Sequence, residues 1–460
     1  MYLANFLHFY QPPTQKEDML IRIVKECYRP VFKGLLKIPQ AKLTINLSSC
    51  LTELLDRYGF EDVIRMVGQL LKNKQIELSG SAKYHPLLPK MPEEEIVRQI
   101  KMDIETNKKY FGPAFAEATK DMGFFPPEMA FNDKVGKVVA DMGFKWIIVD
   151  EYSYPGQCSW NNTYRIKNLP LGIYFRERDI SFKILSAQLG TAKMLIDELG
   201  RKYQPDRYSQ KSSASSQKSS AYLLTAMDGE TFGHHRPGLE ELLFDIYRSS
   251  KFTGVMISEL ADHFPQQEIV PQPSTWALMK QDQEKNIPFA RWDDPDNKIH
   301  HYQWQLTDLA IKVVYGLPED SGTRQLLDQA VHSDQYWWAS AKPWWSIEYI
   351  EGGAKELLEV IKSIPNISQD VIKQAEDLYI KIVTTAFDWQ RTGRVAEIAK
   401  AEDEEIRQRT DEVLPRAKKE EILKMIKNLE TQMLTVTRRQ EYERAAQLRD
   451  RIKELKGYLK

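Results

Sequence analysis

Short apolar runs alternate with amphipathic stretches through the first 265 residues of the chain. Segments with helical spacing, such as Pro92–Tyr110 and Lys134–Met142, separate most of the apolar runs. Repeated strand–helix units of this kind predict a parallel sheet with helices outside it, and seven or eight units fit an α/β barrel over residues 1–265. The predicted strands are Tyr2–Tyr10, Lys42–Ser48, Gln75–Ser81, Gly123–Glu128, Trp146–Asp150, Lys183–Ala187, Ala221–Asp228 and Gly254–Ser258.

The pattern becomes helical after Gln266–Pro273, a segment rich in Gln and Pro that we interpret as a linker. Residues 266–415 are predicted to form a helical domain packed on the barrel. Apolar side chains recur every three or four positions near the end of the chain, which predicts a helical hairpin over residues 416–460. The serine-rich stretch 207–220 predicts a surface loop. The hairpin seam consists of Ile422, Ile426, Leu429, Met433, Val436, Ala445, Leu448, Ile452, Leu455 and Leu459.

Composition and charge narrow the class of protein. A formal net charge of −1 with 28% charged residues does not indicate a nucleic-acid or membrane partner. The sequence contains no apolar run of the roughly 18 residues that a membrane span needs, and the N-terminus has no basic region of the signal-peptide type. The 3 cysteines are widely separated and predict neither a disulfide framework nor a metal site. We therefore expect a cytoplasmic protein.

Acidic residues stand at the ends of two predicted strands. Glu128 follows Pro126-Pro127, and Asp228 ends the strand Ala221–Asp228. Because the carboxyl ends of parallel barrel strands share the face on which active sites are built, we expect the two side chains to meet. Two carboxyl groups about 5–5.5 Å apart can cleave a glycosidic bond with retention, one as nucleophile and one as alternating acid and base. The pair predicts a site of this kind.

Further polar and aromatic residues near the predicted strand ends extend the candidate site. Glu230 can raise the pKa of a neighbouring carboxyl group, and histidines can donate hydrogen bonds to sugar hydroxyls. The segment from 332 to 345 carries four of the 10 tryptophans, and aromatic rings are common in sugar-lined clefts. The candidate substrate contacts from these regions are His8, His85, Glu230, His234, Trp292, Asp334 and Trp337.

Other classes of function remain as alternatives. His8, Asp228, His234 and His235 are the residues for a zinc site with water as nucleophile, of the kind a polysaccharide deacetylase or amidohydrolase uses. No HxxxH or HxxE spacing on a helix supports that site. A non-catalytic glucan-binding scaffold is a second alternative. A regulatory or assembly protein that acts through the hairpin is a third.

Four short segments carry a resemblance to a known family. They are His8-Phe9-Tyr10-Gln11-Pro12, Lys74-Gln75-Ile76-Glu77-Leu78-Ser79-Gly80, Pro127-Glu128-Met129-Ala130 and Asp228-Gly229-Glu230-Thr231-Phe232-Gly233. They resemble the motifs of glycoside hydrolase family 57, the retaining α-glucan-active enzymes. Two departures stand out: Tyr10 occupies the place of a second His, and the Trp common just before the catalytic Glu is absent.

The resemblance implies a (β/α)7 barrel followed by a helical domain. It assigns the nucleophile to Glu128 and the acid/base to Asp228, and it adds Gln11 and Glu77 to the candidate substrate contacts. It implies an α-glucan or maltooligosaccharide substrate and neither a metal nor an organic cofactor. Hydrolysis, glucanotransfer and branching remain open, because the choice depends on whether the cleft excludes water and admits an acceptor sugar.

The predicted hairpin resembles a second motif. Glu441-Tyr442-Glu443-Arg444-Ala445-Ala446-Gln447-Leu448-Arg449-Asp450-Arg451-Ile452-Lys453-Glu454-Leu455 is similar to the UVR motif of bacterial excision-repair proteins, a protein-interaction hairpin. From Arg416 onward Lys and Arg exceed Asp and Glu by 13 to 7, whereas the rest of the chain is acidic. The resemblance implies pairing of residues 416–460 with a partner hairpin, with a second copy, or with the body of the enzyme, and it does not imply DNA repair.

Overall fold

A computed structural model describes residues 1–118, 121–203, 221–342, 344–400 and 413–459. The serine-rich loop predicted at 207–220 lies outside these residues. Seven parallel strands form the centre of the structure: β1 (Tyr2–Phe9), β2 (Leu43–Leu47), β3 (Ile76–Leu78), β4 (Gly123–Phe124), β5 (Trp146–Asp150), β7 (Gly172–Arg176) and β8 (Tyr222–Asp228). Three more strands flank them: β6 (Thr163–Ile166), β9 (Thr253–Val255) and β10 (Gln266–Ile269).

The seven strands close into a barrel through a few backbone hydrogen bonds. The β3 side joins β4 where Gly80 donates to Gly123 O at 2.9 Å and Phe125 donates to Gly80 O at 2.9 Å. The β7 side joins β8 where Glu177 donates to Leu224 O at 2.7 Å. A (β/α)7 barrel followed by helices is therefore confirmed as the fold class.

Helices surround the barrel and continue the chain beyond it. Helix α1 (Glu17–Ile23) runs directly into a π-helix, Val24–Tyr28, and then into α2 (Arg29–Leu36). Helix α5 (Glu93–Ala118) is interrupted at Gly112, where φ is 48° and Pro113 follows. The helices of the first half are α1 (Glu17–Ile23), α2 (Arg29–Leu36), α3 (Ser49–Arg57), α4 (Glu61–Lys72), α5 (Glu93–Ala118), α6 (Asp133–Asp141), α7 (Arg178–Leu185), α8 (Ala192–Tyr203), α9 (Glu240–Arg248) and α10 (Leu260–His263). Those of the second half are α11 (Lys280–Glu284), α12 (Lys298–Val314), α13 (Gly322–Ala330), α14 (Asp334–Trp337), α15 (Ile347–Lys362), α16 (Gln369–Thr392), α17 (Lys419–Arg438) and α18 (Tyr442–Gly457).

Two predicted elements are wrong. Lys183–Ala187 lies at the end of α7 and beyond it, and the strand of that barrel unit is β7, Gly172–Arg176. Its apolar residues belong to a helical stripe, because Ile180 and Ile184 are four positions apart and both are buried. The predicted linker Gln266–Pro273 begins with strand β10, which pairs in parallel with β6.

Three apolar clusters build the core. One fills the barrel interior between Phe6, Phe125, Trp146 and Leu224, among others. A second joins β4 and β5 to α12, α13, α15 and α16. The third joins the outer face of the barrel to the predicted hairpin, whose helices α17 and α18 bury Ile422, Ile426, Leu429, Leu448, Ile452 and Leu455. Within the described part of the chain, no helix combines the length and the apolarity needed to cross a bilayer.

Candidate active site

Glu128 stands on a sharp turn just beyond β4. The preceding Pro126 and Pro127 fix the chain direction, and Glu128 itself adopts a left-handed conformation with φ 61° and ψ 14°. Such a conformation is unfavourable for a residue with a side chain and is held by its surroundings. Met129 donates to Pro126 O at 2.8 Å, and Trp276 donates its backbone N–H to Glu128 O at 3.1 Å. The turn fixes the side chain of Glu128 in a buried position.

Both oxygens of the Glu128 carboxyl group have close partners. Trp276 Nε1 lies 2.8 Å from Oε2, and Ser333 Oγ lies 3.1 Å from Oε1. Burial raises the pKa of Glu128 to about 8. The negative charges of Asp334 and Asp228 contribute to this rise, while the hydrogen bonds from Trp276 and Ser333 oppose it.

Asp228 ends strand β8 at the same level of the barrel as His8. The parallel register pairs His8 with Asp228 on one side of β1 and with Asn46 on the other. Burial raises the pKa of Asp228 to about 6, and the nearby positive charge of Arg176 limits the rise. Because the charge of Asp228 raises the pKa of Glu128, the two carboxyl groups belong to one electrostatically coupled site.

A chain of hydrogen bonds runs from β2 to the Glu128 carboxyl group. Asn46 Oδ1 lies 2.8 Å from His8 Nδ1, while its amide nitrogen donates to Ser79 O at 3.3 Å. His8 Nε2 lies 3.1 Å from His85 Nε2, and His85 Nδ1 lies 3.0 Å from Ser333 Oγ. Burial lowers the pKa of His8, and it lowers the pKa of His85 to about 4. Both imidazoles are therefore neutral near neutral pH, with one N–H each.

The bonding pattern assigns those protons. Asn46 Oδ1 only accepts, so His8 donates from Nδ1 and accepts at Nε2. His85 then donates from Nε2, and its Nδ1 is left as an acceptor 3.0 Å from Ser333 Oγ. Ser333 carries one hydroxyl hydrogen, for which this nitrogen and Glu128 Oε1, at 3.1 Å, are the two neighbouring acceptors.

Asp334 places a fixed negative charge beside the pair. Tyr10 donates its hydroxyl to Asp334 Oδ2 at 2.7 Å, and His332 Nδ1 lies 3.3 Å from the same oxygen. His332 also contacts Glu356, with 3.3 Å between Nε2 and Oε2. Burial tends to lower the pKa of His332, but the two carboxylates outweigh it and raise the pKa to about 9. Burial tends to raise the pKa of Asp334, but His332 outweighs it and the pKa is lowered.

Glu230 lies in the turn after Asp228. Gln11 Nε2 donates to its Oε1 at 3.2 Å, and the hydroxyl of Tyr28 donates to the same oxygen. Burial raises the pKa of Glu230 to about 8, and the charge of Asp228 adds to the rise. The structure thus brings together six of the sequence-predicted residues by direct contact or by their effect on one another's pKa. They are His8, His85, Glu128, Asp228, Glu230 and Asp334, with Gln11 attached through Glu230.

Four other predicted residues lie apart from this group. Both oxygens of Glu77 accept hydrogen bonds from Thr44 and Ser258, so its carboxylate ties strand β3 to neighbouring segments of the barrel. His234 Nδ1 contacts Glu26 Oε2 at 2.6 Å. Trp292 is fully buried and packs on the half-buried Trp337, with 5.2 Å between ring centroids. Trp292 belongs to the core of the helical region, because it exposes no surface to a ligand.

Several residues of the site had no signal in the sequence. Arg176 ends strand β7, which the sequence did not predict, and it donates to Asp150 Oδ2 at 3.3 Å and to Trp276 O at 3.2 Å. Trp276 follows the segment interpreted as a linker. Ser333 adjoins Asp334 and was detectable only as its neighbour. In the described ranges, no group of three or more His, Cys, Asp and Glu side chains has the arrangement of a metal site, so the zinc alternative has no assembled ligand set there.

Comparison with known sequences identifies the family. The model of glycosyl hydrolase family 57 matches residues 4–273, more than half of the 460-residue chain. The chain belongs to glycosyl hydrolase family 57. A UvrB/UvrC motif matches residues 424–458, in agreement with the second resemblance.

Individual relatives are distant. An α-amylase of Pyrococcus horikoshii is 28% identical over 153 residues, which are 33% of this chain and 23% of the amylase, so the match spans less than a quarter of that protein. The crystal structure of a 4-α-glucanotransferase of Thermococcus litoralis aligns with a TM-score of 0.61 and 17% identity, covering 79% of this chain and 60% of that one. A family 57 branching enzyme of Pyrococcus horikoshii aligns with a TM-score of 0.60 and 15% identity, covering 83% and 96%. The two structures share the fold with this chain.

Proposed function

We propose that this family 57 chain is a retaining enzyme that acts on α-1,4-linked glucans, with Glu128 as nucleophile and Asp228 as acid/base. The observation that carries the proposal is the buried, coupled pair of carboxyl groups at the ends of β4 and β8. The α-amylases and 4-α-glucanotransferases among the relatives support an α-glucan as the substrate class.

The proton inventory of the site fits this chemistry. Asp334 is held as a carboxylate by His332. Glu230, whose pKa is also raised to about 8, is not one of the reacting groups, so the proton of interest is shared by the pair Glu128 and Asp228. A retaining enzyme needs one proton on this pair, carried by the acid/base while the nucleophile is ionised. In the free site the proton resides on Glu128, whose pKa is raised to about 8, while the pKa of Asp228 is raised to about 6. Substrate binding must therefore move this proton to Asp228.

The reaction itself supplies the driving force for that move. Positive charge develops on the anomeric carbon, and it stabilises the Glu128 carboxylate that faces it. Glu128 forms an ester bond to that carbon while Asp228 gives its proton to the departing glycosidic oxygen. The Asp228 carboxylate then takes a proton from water or from a sugar hydroxyl, whose oxygen attacks the anomeric carbon and releases Glu128. The proton count of the pair is one again at the end.

Chemical rescue separates the two roles. Glu128→Ala and Asp228→Ala should each lower turnover of an activated α-glucosyl substrate by at least a thousandfold, with thermal unfolding as the control for folding. With azide, Glu128→Ala should form the inverted β-glycosyl azide, because azide replaces the missing nucleophile. Asp228→Ala should form the retained α-glycosyl azide, because azide attacks the ester in place of water. Activity within tenfold of the wild type in either variant, or the same azide anomer from both, would contradict the assignment.

Product analysis with maltoheptaose identifies the reaction. Only shorter sugars would indicate hydrolysis, a ladder in both directions would indicate glucanotransfer, and α-1,6 signals by NMR would indicate branching. Binding of maltoheptaose without any product would favour the non-catalytic scaffold.

We also propose a cytoplasmic location. All three cysteines, Cys27, Cys50 and Cys158, are free and buried. Burial raises the pKa of the Cys27 thiol, which donates to Gly229 O at 3.2 Å beside the candidate site. A thiol in this structural position suits a reducing compartment.

A further inference from the structure

The loop that follows Asp228, residues 229–235, is packed tightly against the π-helix Val24–Tyr28. The loop folds back on itself where His235 donates its backbone N–H to Glu230 O at 2.8 Å. Gly233 has a φ of 114°, and a Cβ at this position would lie 2.2 Å from Glu26 O. The loop can approach the π-helix this closely only because residue 233 has no side chain.

Three consecutive residues of the π-helix contact this loop. Glu26 Oε2 lies 2.6 Å from His234 Nδ1, Cys27 donates to Gly229 O at 3.2 Å, and Tyr28 donates to Glu230. A π-turn widens the helix and brings neighbouring side chains to one side, and such turns are frequent at functional sites. The first contact secures the far end of the loop, and the other two secure the end beside Asp228.

The hairpin contacts the His234 end of loop 229–235 through one buried side chain. Arg444, 8% exposed, stands near the start of α18. Its guanidinium donates to the backbone oxygens of Gly233 and His234 and lies 3.7 Å from Glu26 Oε2. Burial tends to raise the pKa of Glu26, but the hydrogen bond from His234 and the charge of Arg444 outweigh it and lower the pKa. Arg444 therefore satisfies two loop carbonyls and one carboxylate with a single rigid fork.

We propose that the C-terminal hairpin is a clamp on loop 229–235 and that Arg444 is a positioning residue for the reaction proposed above, on which this inference rests. Arg444 acts through Glu26, Gly233 and His234 on the loop that carries Glu230 and extends directly from Asp228. The partner of the hairpin motif is then the catalytic barrel of the same chain. Small displacements of reacting groups slow the reaction strongly, since misplacement by about 1 Å can lower a rate on the order of a hundredfold.

Other contacts of the hairpin provide a matched control. Arg451, on the same helix, donates to Ala187 O at 2.7 Å, and Lys424 Nζ lies 2.9 Å from Asp245 Oδ2. Both side chains anchor the hairpin to the barrel without touching loop 229–235. A purely structural role of the hairpin predicts similar effects of Arg444→Ala and Arg451→Ala on activity. A positioning role predicts different effects.

Steady-state kinetics of the full chain on maltoheptaose make the comparison. We expect Arg444→Ala to lower kcat about tenfold or more with KM within about twofold of the wild type, because the loss is in alignment rather than in binding. Arg451→Ala should leave kcat within about twofold. Arg444→Lys should restore kcat only in part, because an ammonium cannot serve both carbonyls and Glu26 in one plane. Equal kcat in the two alanine variants, whether lowered or unchanged, would overturn the proposal.

Hydrogen–deuterium exchange tests the clamp independently of turnover. Arg444→Ala should accelerate exchange of the peptide that contains the His235 amide by about tenfold or more, whereas Arg451→Ala should leave that peptide unchanged. Unchanged protection of the loop in Arg444→Ala would overturn the clamp even if kcat fell. If the wild type turned over no glucan, the proposed function would fail, while the exchange result would still decide whether Arg444 holds the loop.

Discussion

The protonation of Glu128 is the central chemical question at the residue scale. Its carboxyl group is buried, and the negative charges of Asp334 and Asp228 oppose its ionisation. These features place the proton of the pair on Glu128 in the absence of substrate. The active ionisation state contains one proton on the pair, whichever carboxyl group carries it, and the pH dependence reports that number.

We predict a bell-shaped dependence of kcat/KM on pH. The pKa of Asp228 is raised to about 6 and that of Glu128 to about 8, so the pair holds one proton between these values. Below about pH 6 both groups are protonated and the nucleophile is lost. Above about pH 8 both are ionised and no proton is available for the leaving oxygen. Initial rates at low substrate concentration between pH 4 and about 10 measure the free enzyme, and a profile without a basic limb would contradict the proton assignment.

The charge of Asp334 provides a way to shift that profile. Asp334→Asn removes a negative charge that raises the pKa of both Glu128 and Asp228. Both limbs of the profile should therefore move to lower pH, the basic limb further, because Asp334 is the leading charge acting on Glu128. Glu356→Gln is the control, since Glu356 contacts the opposite side of His332 at 3.3 Å. Its profile should move much less, and equal shifts in the two variants would argue against a direct effect of Asp334.

The sequence revealed the titrating residues and Asp334, but not the hydrogen-bond donors that contact Glu128. Glu128 and Asp228 could be found because each is an acid at the end of an apolar run. Trp276 and Ser333 are far from Glu128 in the chain, and only the packing of the helical region against the barrel brings them to its carboxyl group. A hydrogen-bond donor that is far away along the chain cannot be predicted from the local pattern of apolar and polar residues.

At the scale of single elements, the apolar pattern predicted the secondary structure correctly where it favoured a strand over a helix. The longer apolar runs, such as β1 and β8, were predicted close to their observed bounds. The five-residue segment Lys183–Ala187 was wrong because a run this short fits both a strand and one turn of a buried helix. Missing β7 also hid Arg176, since a residue at a strand end is conspicuous only when the strand is known.

Two glycines in the same local sequence are required for different structural reasons. Gly123 and Gly143 occupy the same place in the repeated Asp-Met-Gly-Phe segments. A Cβ at Gly123 would lie 2.0 Å from the ring of Trp146, whereas Gly143 has a φ of 88° and open space around it. Steric exclusion controls the first position, and backbone conformation controls the second.

We predict opposite tolerance of asparagine at these positions. Gly143→Asn should change the free energy of unfolding by less than about 1 kcal/mol, because Asn accepts left-handed conformations. Gly123→Asn should cost about 3 kcal/mol or more, because the side chain displaces the Trp146 ring. Urea unfolding followed by tryptophan fluorescence measures both. Similar losses of unfolding free energy in the two variants would contradict the distinction between steric exclusion at Gly123 and backbone conformation at Gly143.

At the scale of the whole molecule, the hairpin belongs to the body of the enzyme. Ion pairs of both polarities join it to the barrel, such as Lys424 of the hairpin with Asp245 and Glu441 of the hairpin with Lys25. Its apolar seam belongs to the same core cluster as Leu3, Leu7 and Val31 of the barrel. The sequence predicted the hairpin and its seam, but it left three possible partners, because a seam specifies an apolar surface without specifying what covers it.

This shared core predicts that the hairpin and the barrel unfold together. Leu429 on α17 is 3% exposed and packs over Gly238 of the barrel, whereas Leu434 on the same helix is 59% exposed. Leu429→Ala should lower the free energy of unfolding by about 2–4 kcal/mol, and Leu434→Ala should change it by less than about 0.5 kcal/mol.

Tryptophan fluorescence reports on the barrel and helical region alone in this experiment, because all 10 tryptophans precede the hairpin. A loss caused by Leu429→Ala is visible to this probe only if the hairpin stabilises the rest of the chain. Coincident urea transitions by fluorescence and by circular dichroism would then establish one cooperative unit. A normal fluorescence transition in Leu429→Ala, with earlier loss of helical signal by circular dichroism, would mean that the hairpin folds separately and that its contacts with loop 229–235 are too weak to act as a clamp.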